Sequence, residues 1–336
     1  MYDIIEGKEV QMSLMRCFDE QYIDLCRRIL AEGEKVENYG GARDARSGVV
    51  ASAMPDHASQ RSSGARTVRL AHEVMRFDLL REFPILRSKK VGWKSAVLEI
   101  LWIYQEASNK VKWLQDRGVH IWDEWEADAN GVYQGRNLNQ IFANKHPDEE
   151  PEEFAGTIGT AYGWIVRRYG LMDNLITTLR HNPGNRRMVL SLWQNEWLET
   201  AALPSCVWNS QWNVTDGRLN LLVASRSTDV PLGLPYNIVQ YAVLLALVAQ
   251  VTGYQPGVFT FITNDAHIYE NQIEGIKEQI KRYDEAVASG GLPEAPELWI
   301  NPEVRELADF DNSRELKDIR LEKYEHLGVI KMPVTE

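Results

Sequence analysis

The residues with the clearest chemical potential lie within positions 203–241 of the 336-residue chain. Cys206 follows a Pro-Ser pair, and after two strand-like runs come the cation of Arg226 and the hydroxyl of Ser227. Asn237 then opens an apolar helix. A reactive sulfur, an anion-binding pair and an amide that both donates and accepts are more polar chemistry than a core hairpin needs. The stretch predicts covalent chemistry on a ligand with an anionic group and a base edge.

Composition is that of an ordinary globular protein, with 44% hydrophobic and 25% charged residues, and the length suits one large domain or two ordinary ones. The formal net charge of −11 argues against sequence-independent nucleic-acid binding, but it leaves room for a local basic pocket. Cys17, Cys26 and Cys206 show neither metal-ligand spacing nor a disulfide pattern, which favours a cytoplasmic protein without a metal. No signal peptide is evident, and the apolar run 241–249 is too short to cross a bilayer.

The pattern of predicted helices, loops and insertions along the sequence indicates one catalytic domain over residues 1–336. An extension, 1–17, precedes an amphipathic helix over 18–33 that places Cys26 on its apolar face. Residues 38–64 are rich in Gly, Ser, Ala and Arg and predict a long loop. Residues 132–156 are polar and acidic, and they predict an insertion.

The apolar helix predicted over 94–105 carries one carboxylate, Glu99, among apolar neighbours. A carboxylate in such dry surroundings must be paired, neutral or bonded through water, so a structural ion pair with Arg or Lys fits as well as catalysis. Trp122 and Trp125 lie in a polar turn, where they serve as core or as pocket walls. Tyr162 lies in a glycine-flanked turn.

Several strands should deliver the remaining polar groups. An Asp-Gly turn at 216–217 joins two strands, the second of which ends at Arg226. A strand at 258–263 delivers His267 and Tyr269 to a loop, and a buried helix spans 238–252. Arg186 and Arg187 enter a strand at 188–192 and therefore point to opposite faces. At most one of them can face a given pocket, unless the site lies between subunits.

The order of these pieces resembles the thymidylate synthase family from about residue 18 to 334. No Walker-type loop or GxGxxG fingerprint competes with that resemblance. It implies a single α/β (α+β) domain on a large mixed β-sheet flanked by helices, dimerised through that sheet. The segments that carry it, in the family's order, are 99–102, 121–125, 161–163, 186–187, 204–206 with Gln211, 226–229, 232–237 and 265–269.

The resemblance also implies a reaction. The Cys206 thiolate would add to C6 of dUMP, and 5,10-methylenetetrahydrofolate would supply a methylene and a hydride, giving dTMP and dihydrofolate. A free cysteine needs a cationic neighbour such as Arg226 to favour the thiolate. Glu99 would manage protons through water, Tyr162 would assist loss of the C5 proton, and Asn237 would pair with the N3-H and O4 edge. The implied catalytic residues are Cys206, Glu99, Tyr162, Asn237 and Asp229.

Two binding surfaces complete the implied site, which a homodimer would share. The nucleotide side comprises Arg226, Ser227, Gln211, His267, Tyr269 and Arg61, with Arg186 and Arg187 contributed by the partner subunit. The folate side comprises Ile121, Trp122, Trp125, Asp229, Leu232, Gly233 and Tyr236.

Three departures from the family pattern bear on this prediction. Val207 follows Cys206 where many members have His, as it does in a subset similar to enzymes of Gram-positive bacteria. The phosphate loop aligns one residue off at Arg61, which leaves Arg43, Arg46 and Arg61 as alternatives. The sequence closes with Thr335-Glu336 where the family often has a short apolar residue, and the added charge would weaken closure over the folate.

Two rival functions remain at this point. A deoxypyrimidine-monophosphate hydroxymethylase shares the first steps and releases the methylene to water. Asn237 favours uracil over cytosine, and Trp122 would shield the methylene, so both favour the synthase. An idle paralogue that binds nucleotide or RNA would not need the set of Cys206, Glu99, Tyr162 and Asn237. Taken alone, Cys206 is a small buried hydrophobe and His267 a structural histidine.

Overall fold

A computed structural model describes residues 16–37 and 66–333. Its strands are β1 (Glu34–Glu37), β2 (Arg66–Asp78), β3 (Val132–Tyr133), β4 (Arg136–Asn137), β5 (Val189–Ser191), β6 (Val207–Thr215), β7 (Arg218–Ser225), β8 (Thr228–Asp229), β9 (Gln255–Tyr269), β10 (Glu297–Ile300) and β11 (Ile319–Glu322). Its α-helices are α1 (Phe18–Glu32), α2 (Trp93–Tyr104), α3 (Val111–Gln115), α4 (Leu138–Lys145), α5 (Gly163–Arg168), α6 (Leu171–His181), α7 (Gly233–Thr252) and α8 (Ile273–Ala288). Four short 3₁₀ helices span Asp123–Trp125, Asn195–Thr200, Glu270–Gln272 and Leu307–Asp309.

A seven-stranded sheet in the order β1-β2-β9-β7-β6-β5, with β8 beside β9, organises the chain. β9 runs parallel to β7 and β8, and the other pairs are antiparallel. Helices α1 and α7 pack against it, and α2 packs on α7. The mixed sheet flanked by helices confirms the predicted fold class.

Helix α7 is apolar nearly all round, and its surroundings explain why. By length and composition it could cross a membrane, but 83% of its most apolar window is buried inside the fold. It therefore forms the centre of the core. The helix begins at Gly233, earlier than the sequence predicted, because Pro235 is tolerated in a first turn, where its missing N–H has no helical acceptor.

The β6–β7 hairpin brings Cys206 and Arg226 side by side. Asp216 (φ 53°) and Gly217 (φ 71°) form its turn, as the Asp-Gly pair predicts, because both positions take left-handed backbone. The turn sets Thr215 opposite Arg218. At the other end, the Arg226 amide donates to the Cys206 carbonyl at 2.9 Å. The turn sets the register as far as Asn209 opposite Ala224, and a bulge between Val207 and Asn209 then shifts the pairing so that Cys206 lies beside Arg226.

Strand β9 is longer than the sequence predicted. The prediction placed His267 and Tyr269 in a loop, but both lie in the strand. The reason is tertiary, because β2 pairs along the whole length of β9 and sets Arg69 opposite His267. The loop prediction is therefore wrong. Within the strand the two side chains lie on one face, and their rings meet edge-on with centroids 5.1 Å apart.

Residues 132–156 fold as the short β3–β4 hairpin followed by α4. Phe142 of α4 is buried and stacks on Trp197, with ring centroids 5.7 Å apart. This aromatic contact joins the segment to the body of the protein. The predicted extension lies outside the described residues except for positions 16 and 17, and the predicted 38–64 loop lies wholly outside them.

Candidate active site

Cys206 and Arg226 form the centre of the site. Arg226 Nη2 donates to Cys206 Sγ at 3.5 Å. The guanidinium is fixed by donations to the carbonyls of Pro204 (2.8 Å) and Ser205 (3.2 Å), and it lies 6.0 Å from the ring of Trp193. A half-buried thiol beside a held cation is placed to attack an electrophilic carbon.

Tyr162 contacts the backbone of Cys206. The Cys206 amide donates to Tyr162 Oη at 3.0 Å. Burial raises the pKa of Tyr162 well above its usual value, and the nearby Cys206 adds to the rise, so the phenol stays protonated. Its backbone (φ 45°, ψ −107°) is strained for a residue with a side chain, as functional positions often are. The next residue must be glycine, because a Cβ at position 163 would lie 2.0 Å from the Ser108 carbonyl oxygen.

Glu99, on α2, is buried and fully bonded. Trp122 Nε1 donates to Oε1 at 2.8 Å, and Gln240 Nε2 donates to Oε2. Its described partners are therefore neutral donors, and no Arg or Lys among the residues the structure describes supplies the structural ion pair that the sequence left as an alternative. Burial raises the pKa of Glu99 to about 7, while the two donated bonds limit the rise. The carboxyl is therefore poised to give or take a proton near neutral pH.

The raised pKa of Glu99 should make the free energy of unfolding depend on pH. An ordinary glutamate titrates near 4.3, so Glu99 loses its proton above that pH in the unfolded chain. The folded protein keeps the proton until about pH 7, and its stability is therefore highest below about pH 4.3 and is lost as pH rises through about 7. Relative to Glu99→Gln, the free energy of unfolding of the wild type should fall by about 2 kcal/mol between pH 5 and pH 8. Urea unfolding across that range checks this, with exposed Glu303→Gln as the control. Parallel pH curves for wild type and Glu99→Gln would contradict the assignment.

Gln240 joins Glu99 to Asn237. Besides donating to Glu99, it accepts from Asn237 Nδ2 at 3.0 Å. Both residues lie on α7, three positions apart, so they share a helix face. Because this bond takes one amide proton, Asn237 keeps its second N–H and its Oδ1 for a ligand edge that offers both an acceptor and a donor.

Asp229 lies in β8 and is bonded at both oxygens. Oδ1 accepts from the Leu232 amide at 2.9 Å, and Oδ2 accepts from Gln272 Nε2 at 3.1 Å. In the turn between Asp229 and Leu232, the Pro231 carbonyl accepts from Lys89 Nζ. Burial lowers the pKa of Lys89 to about 8. These contacts fix the turn that leads into α7.

His267, Ser227 and Tyr269 form one polar group. His267 Nδ1 lies 2.8 Å from Asp265 Oδ1 and 3.5 Å from Ser227 Oγ. Arg69 on β2 donates to the other Asp265 oxygen at 3.1 Å. Burial raises the pKa of Tyr269 to about 12, so its hydroxyl remains a donor. The group offers hydroxyl and imidazole contacts beside Arg226.

Aromatic rings line the opposite wall. Trp122 is buried, and its ring meets Tyr162 at 5.3 Å and Trp125 at 5.5 Å. Ile121, in contrast, is exposed. The predicted folate residues Leu232, Gly233 and Tyr236 lie half-buried at the start of α7. The wall is continuous with Glu99 through the Trp122 bond.

Some predicted residues do not join this group in the single chain. Gln211 is exposed on β6, and its side chain donates to Asn209 at 3.1 Å. Arg186 and Arg187 lead into β5, as predicted, although the strand is shorter than the predicted 188–192; both are exposed. Arg61, with the alternatives Arg43 and Arg46, lies outside the described residues.

Sequence reasoning missed Gln240, Gln272 and Lys89. Gln240 carried a signal, because it is a polar residue inside an apolar helix, one turn after Asn237. Within residues 16–37 and 66–333, no group of three or more His, Cys, Asp or Glu side chains is placed to hold a metal. A separate groove of about 930 Å³, between the end of α7 and β10, contains none of the site residues.

Comparisons with known proteins agree with this geometry. A profile of the family described as thymidylate synthase matches residues 20–336. A thymidylate synthase from Clostridium beijerinckii is 44% identical over 273 residues, 81% of this chain and 90% of its own. One from Bacillus phage phi3T is 35% identical over 321 residues, 93% of this chain and 96% of its own. The solved structure of thermostable thymidylate synthase A from Bacillus subtilis matches with a TM-score of 0.70 and 34% identity, covering 93% of this chain and 96% of that chain.

Proposed function

The chain belongs to the thymidylate synthase family, which makes it a methyltransferase, and we propose that Cys206 is the nucleophile with which it converts dUMP to dTMP. The observation that carries the proposal is the 3.5 Å contact between Cys206 Sγ and an Arg226 guanidinium fixed by two backbone carbonyls. The cation is therefore already within reach of the sulfur before the nucleotide binds.

The first step uses that thiolate. It adds to C6 of the pyrimidine, a C–S bond forms, and the electron pair of the C5–C6 double bond moves towards O4. Asn237 stabilises the resulting enolate with its free N–H and orients the ring by accepting from N3-H. The co-substrate 5,10-methylenetetrahydrofolate supplies the one-carbon unit and then the hydride, leaving as dihydrofolate.

Proton movements fall to Glu99 and Tyr162. A carboxyl with a pKa of about 7 can deliver a proton towards O4 or the folate through water and recover it later. Tyr162 bonds to the Cys206 amide, so its hydroxyl lies beside the pyrimidine face where the C5 proton must leave. Loss of that proton lets the folate nitrogen leave, which breaks the C–N bond and forms an exocyclic methylene at C5. Addition of the hydride to that methylene then expels the thiolate from C6 and restores Cys206.

The two ligands bind on opposite walls of the site. Arg226 and Ser227 bind the phosphate, while His267 and Tyr269 bond the ribose hydroxyl. Asp229, Trp122 and the start of α7 bind the folate, because this wall offers a carboxylate for N–H donors and an indole ring for stacking. Ile121, Trp125, Leu232, Gly233 and Tyr236 complete that wall.

The working form is a homodimer that shares its two sites. Arg186 and Arg187 are exposed, and their guanidinium groups have no ion-pair partner among the described residues. Val189 of the edge strand β5 and Trp208 of the neighbouring strand β6 are exposed large apolar side chains. A second copy would cover that surface and receive the two arginines at its phosphate site. Sedimentation should give two chains per particle, and a monomer that is fully active would contradict this.

The cytoplasm is the proposed location. Cys17, Cys26 and Cys206 are all free thiols in the structure, which suits a reducing compartment. Detection of the enzyme in the soluble fraction, with all three thiols alkylated once the protein is denatured, would support this; a disulfide in the isolated protein would contradict it.

Trapping the adduct tests the nucleophile directly. A dUMP analogue with fluorine at C5 cannot lose that atom as a cation, so the enzyme should stall with the methylene bridge formed. Intact-protein mass should then increase by one nucleotide plus one folate, and the modified peptide should contain Cys206. Modification at Cys17 or Cys26, or a purely non-covalent complex, would contradict the proposed role.

A further inference from the structure

Gln272 ends the short 3₁₀ helix that follows β9, and its side chain is completely buried. Its amide makes three hydrogen bonds to three different parts of the molecule. Oε1 accepts from the Tyr269 amide at 3.1 Å. Nε2 donates to Asp229 Oδ2 at 3.1 Å and to the Pro333 carbonyl at 3.2 Å. Both amide protons are therefore committed, one to each acceptor.

Each of these partners has a distinct position in the site. Tyr269 lies on the nucleotide side, Asp229 lies on the folate side, and Pro333 belongs to the segment 331–333 that crosses the start of α8. One planar group bonds all three, so a displacement of any partner strains the bonds to the other two.

A second contact independently holds the segment 331–333. Met332 packs against Gly275 of α8, where an added Cβ would lie 2.8 Å from Met332 Cγ and 3.1 Å from its Cε. Gly275 has no left-handed backbone and lies within a helix, where alanine is the better residue. The close approach of Met332 is thus the visible reason for a glycine here.

We propose that Gln272 is a positioning residue that couples the segment 331–333 to Asp229 and thereby sets affinity for the folate. The inference rests on the proposed function, in which Asp229 belongs to the folate wall. When the segment is seated, Gln272 holds Asp229 in one rotamer; when it is displaced, the shared amide moves and the carboxylate loses its donor.

A purely local role for Gln272 is the alternative. Its bond to the Tyr269 amide also completes a capping box for the 3₁₀ helix, which would stabilise that turn without any coupling. Gln272→Glu separates the two roles. The new carboxylate still accepts from Tyr269, but it cannot donate to Asp229 or Pro333 and it places like charges side by side.

The expected result is a split between the two substrates. For Gln272→Glu, the KM for methylenetetrahydrofolate should rise by about tenfold, the loss typical of one or two charge-linked hydrogen bonds, while the KM for dUMP stays within about twofold. Gln272→Met, which is neutral and similar in size, should raise the folate KM in the same direction and guards against a folding defect caused by buried charge. Unchanged folate KM in both variants would overturn the proposal.

Gln279→Glu is the matched control. Gln279 is also fully buried, on α8, but it bonds Ser88 and Tyr22 and contacts neither Asp229 nor Pro333. Its folate KM should match the wild type even if its melting temperature falls. A rise equal to that of Gln272→Glu would show that any buried carboxylate in this layer perturbs the site, and the specific coupling would be rejected.

A double-mutant cycle with Gly275→Ala tests the coupling itself. That variant displaces Met332 without touching Asp229, and alone it should raise the folate KM by about threefold to tenfold. Combined with Gln272→Glu it should add little, because both changes release the same segment. Fully multiplicative effects would overturn the coupling. Dihydrofolate formation by the wild type in the same assay keeps this outcome separate from failure of the proposed function, which would abolish turnover in every variant.

Discussion

Replacing Cys206 with serine should lower kcat by about 10⁴-fold while the Kd for dUMP changes by less than about threefold. The hydroxyl that replaces the thiol is close to isosteric, so Arg226 can still donate to it and to the carbonyls of Pro204 and Ser205. Serine is far harder to ionise than cysteine, and the pyrimidine therefore lacks its nucleophile. Stopped turnover with retained binding is measured by dihydrofolate formation and by calorimetric titration with dUMP.

Cys17→Ser provides the matched control. Cys17 is also a half-buried free thiol, but it caps the start of α1 away from the site, and serine is a favourable cap. Its kcat should equal that of the wild type. If Cys17→Ser lost activity while Cys206→Ser kept it, the assignment of the nucleophile would be wrong.

Replacing Asn237 with aspartate should lower kcat/KM for dUMP by roughly 10³-fold and raise turnover of dCMP above that of the wild type. Uracil offers a donor at N3 and an acceptor at O4, whereas cytosine offers an acceptor and a donor. A carboxylate cannot donate to O4, but it can accept from the cytosine amino group.

The structure adds a second cost to that exchange. Asn237 donates to Gln240 Oε1, and Gln240 donates to Glu99 in turn. An aspartate at 237 faces the Gln240 oxygen without a proton, so the Gln240 amide must rotate and withdraw its donor from Glu99. The carboxyl of Glu99 then loses one of the bonds that restrains its pKa, and we expect kcat for either nucleotide to stay below the wild-type value for dUMP.

A matched exchange outside the site is Asn109→Asp. Asn109 is buried and donates to the Gly159 carbonyl, so its replacement carries the cost of a lost amide donor without contact with the nucleotide wall. The ratio of dUMP to dCMP turnover should not change. An unchanged ratio in Asn237→Asp as well would remove Asn237 from base recognition.

Local signals explain why much of the fold could be predicted. The Asp-Gly pair takes two left-handed positions, so the β6–β7 hairpin and its register next to the turn follow from the residues themselves, whereas the bulge between Val207 and Asn209 does not. The 3.6-residue periodicity before Gly33 gives α1 with its end at Glu32. The burial of Glu99 could also be predicted, because a lone carboxylate in an apolar helix must find its hydrogen-bond partners inside the protein.

Long-range pairing explains what could not be predicted. His267 and Tyr269 lie in β9 because β2, almost 200 residues earlier, pairs beside them, and a short polar run gives no sign of that partner. Gln272 likewise looks like an ordinary polar residue after a strand. Its function-linked contacts with Asp229 and Pro333 arise from segments 43 and 61 residues away in sequence.

Product analysis tests the central claim most directly. The wild-type protein is incubated with dUMP and methylenetetrahydrofolate, dihydrofolate is followed by absorbance, and the nucleotide is identified by mass. If dUMP is reductively methylated while it is bound covalently to Cys206, dTMP and dihydrofolate should form in equal amounts, and both should be lost in Cys206→Ser. A 5-hydroxymethyl nucleotide without dihydrofolate would contradict this account, because it would mean that water, and not the folate hydride, reaches the methylene behind Trp122.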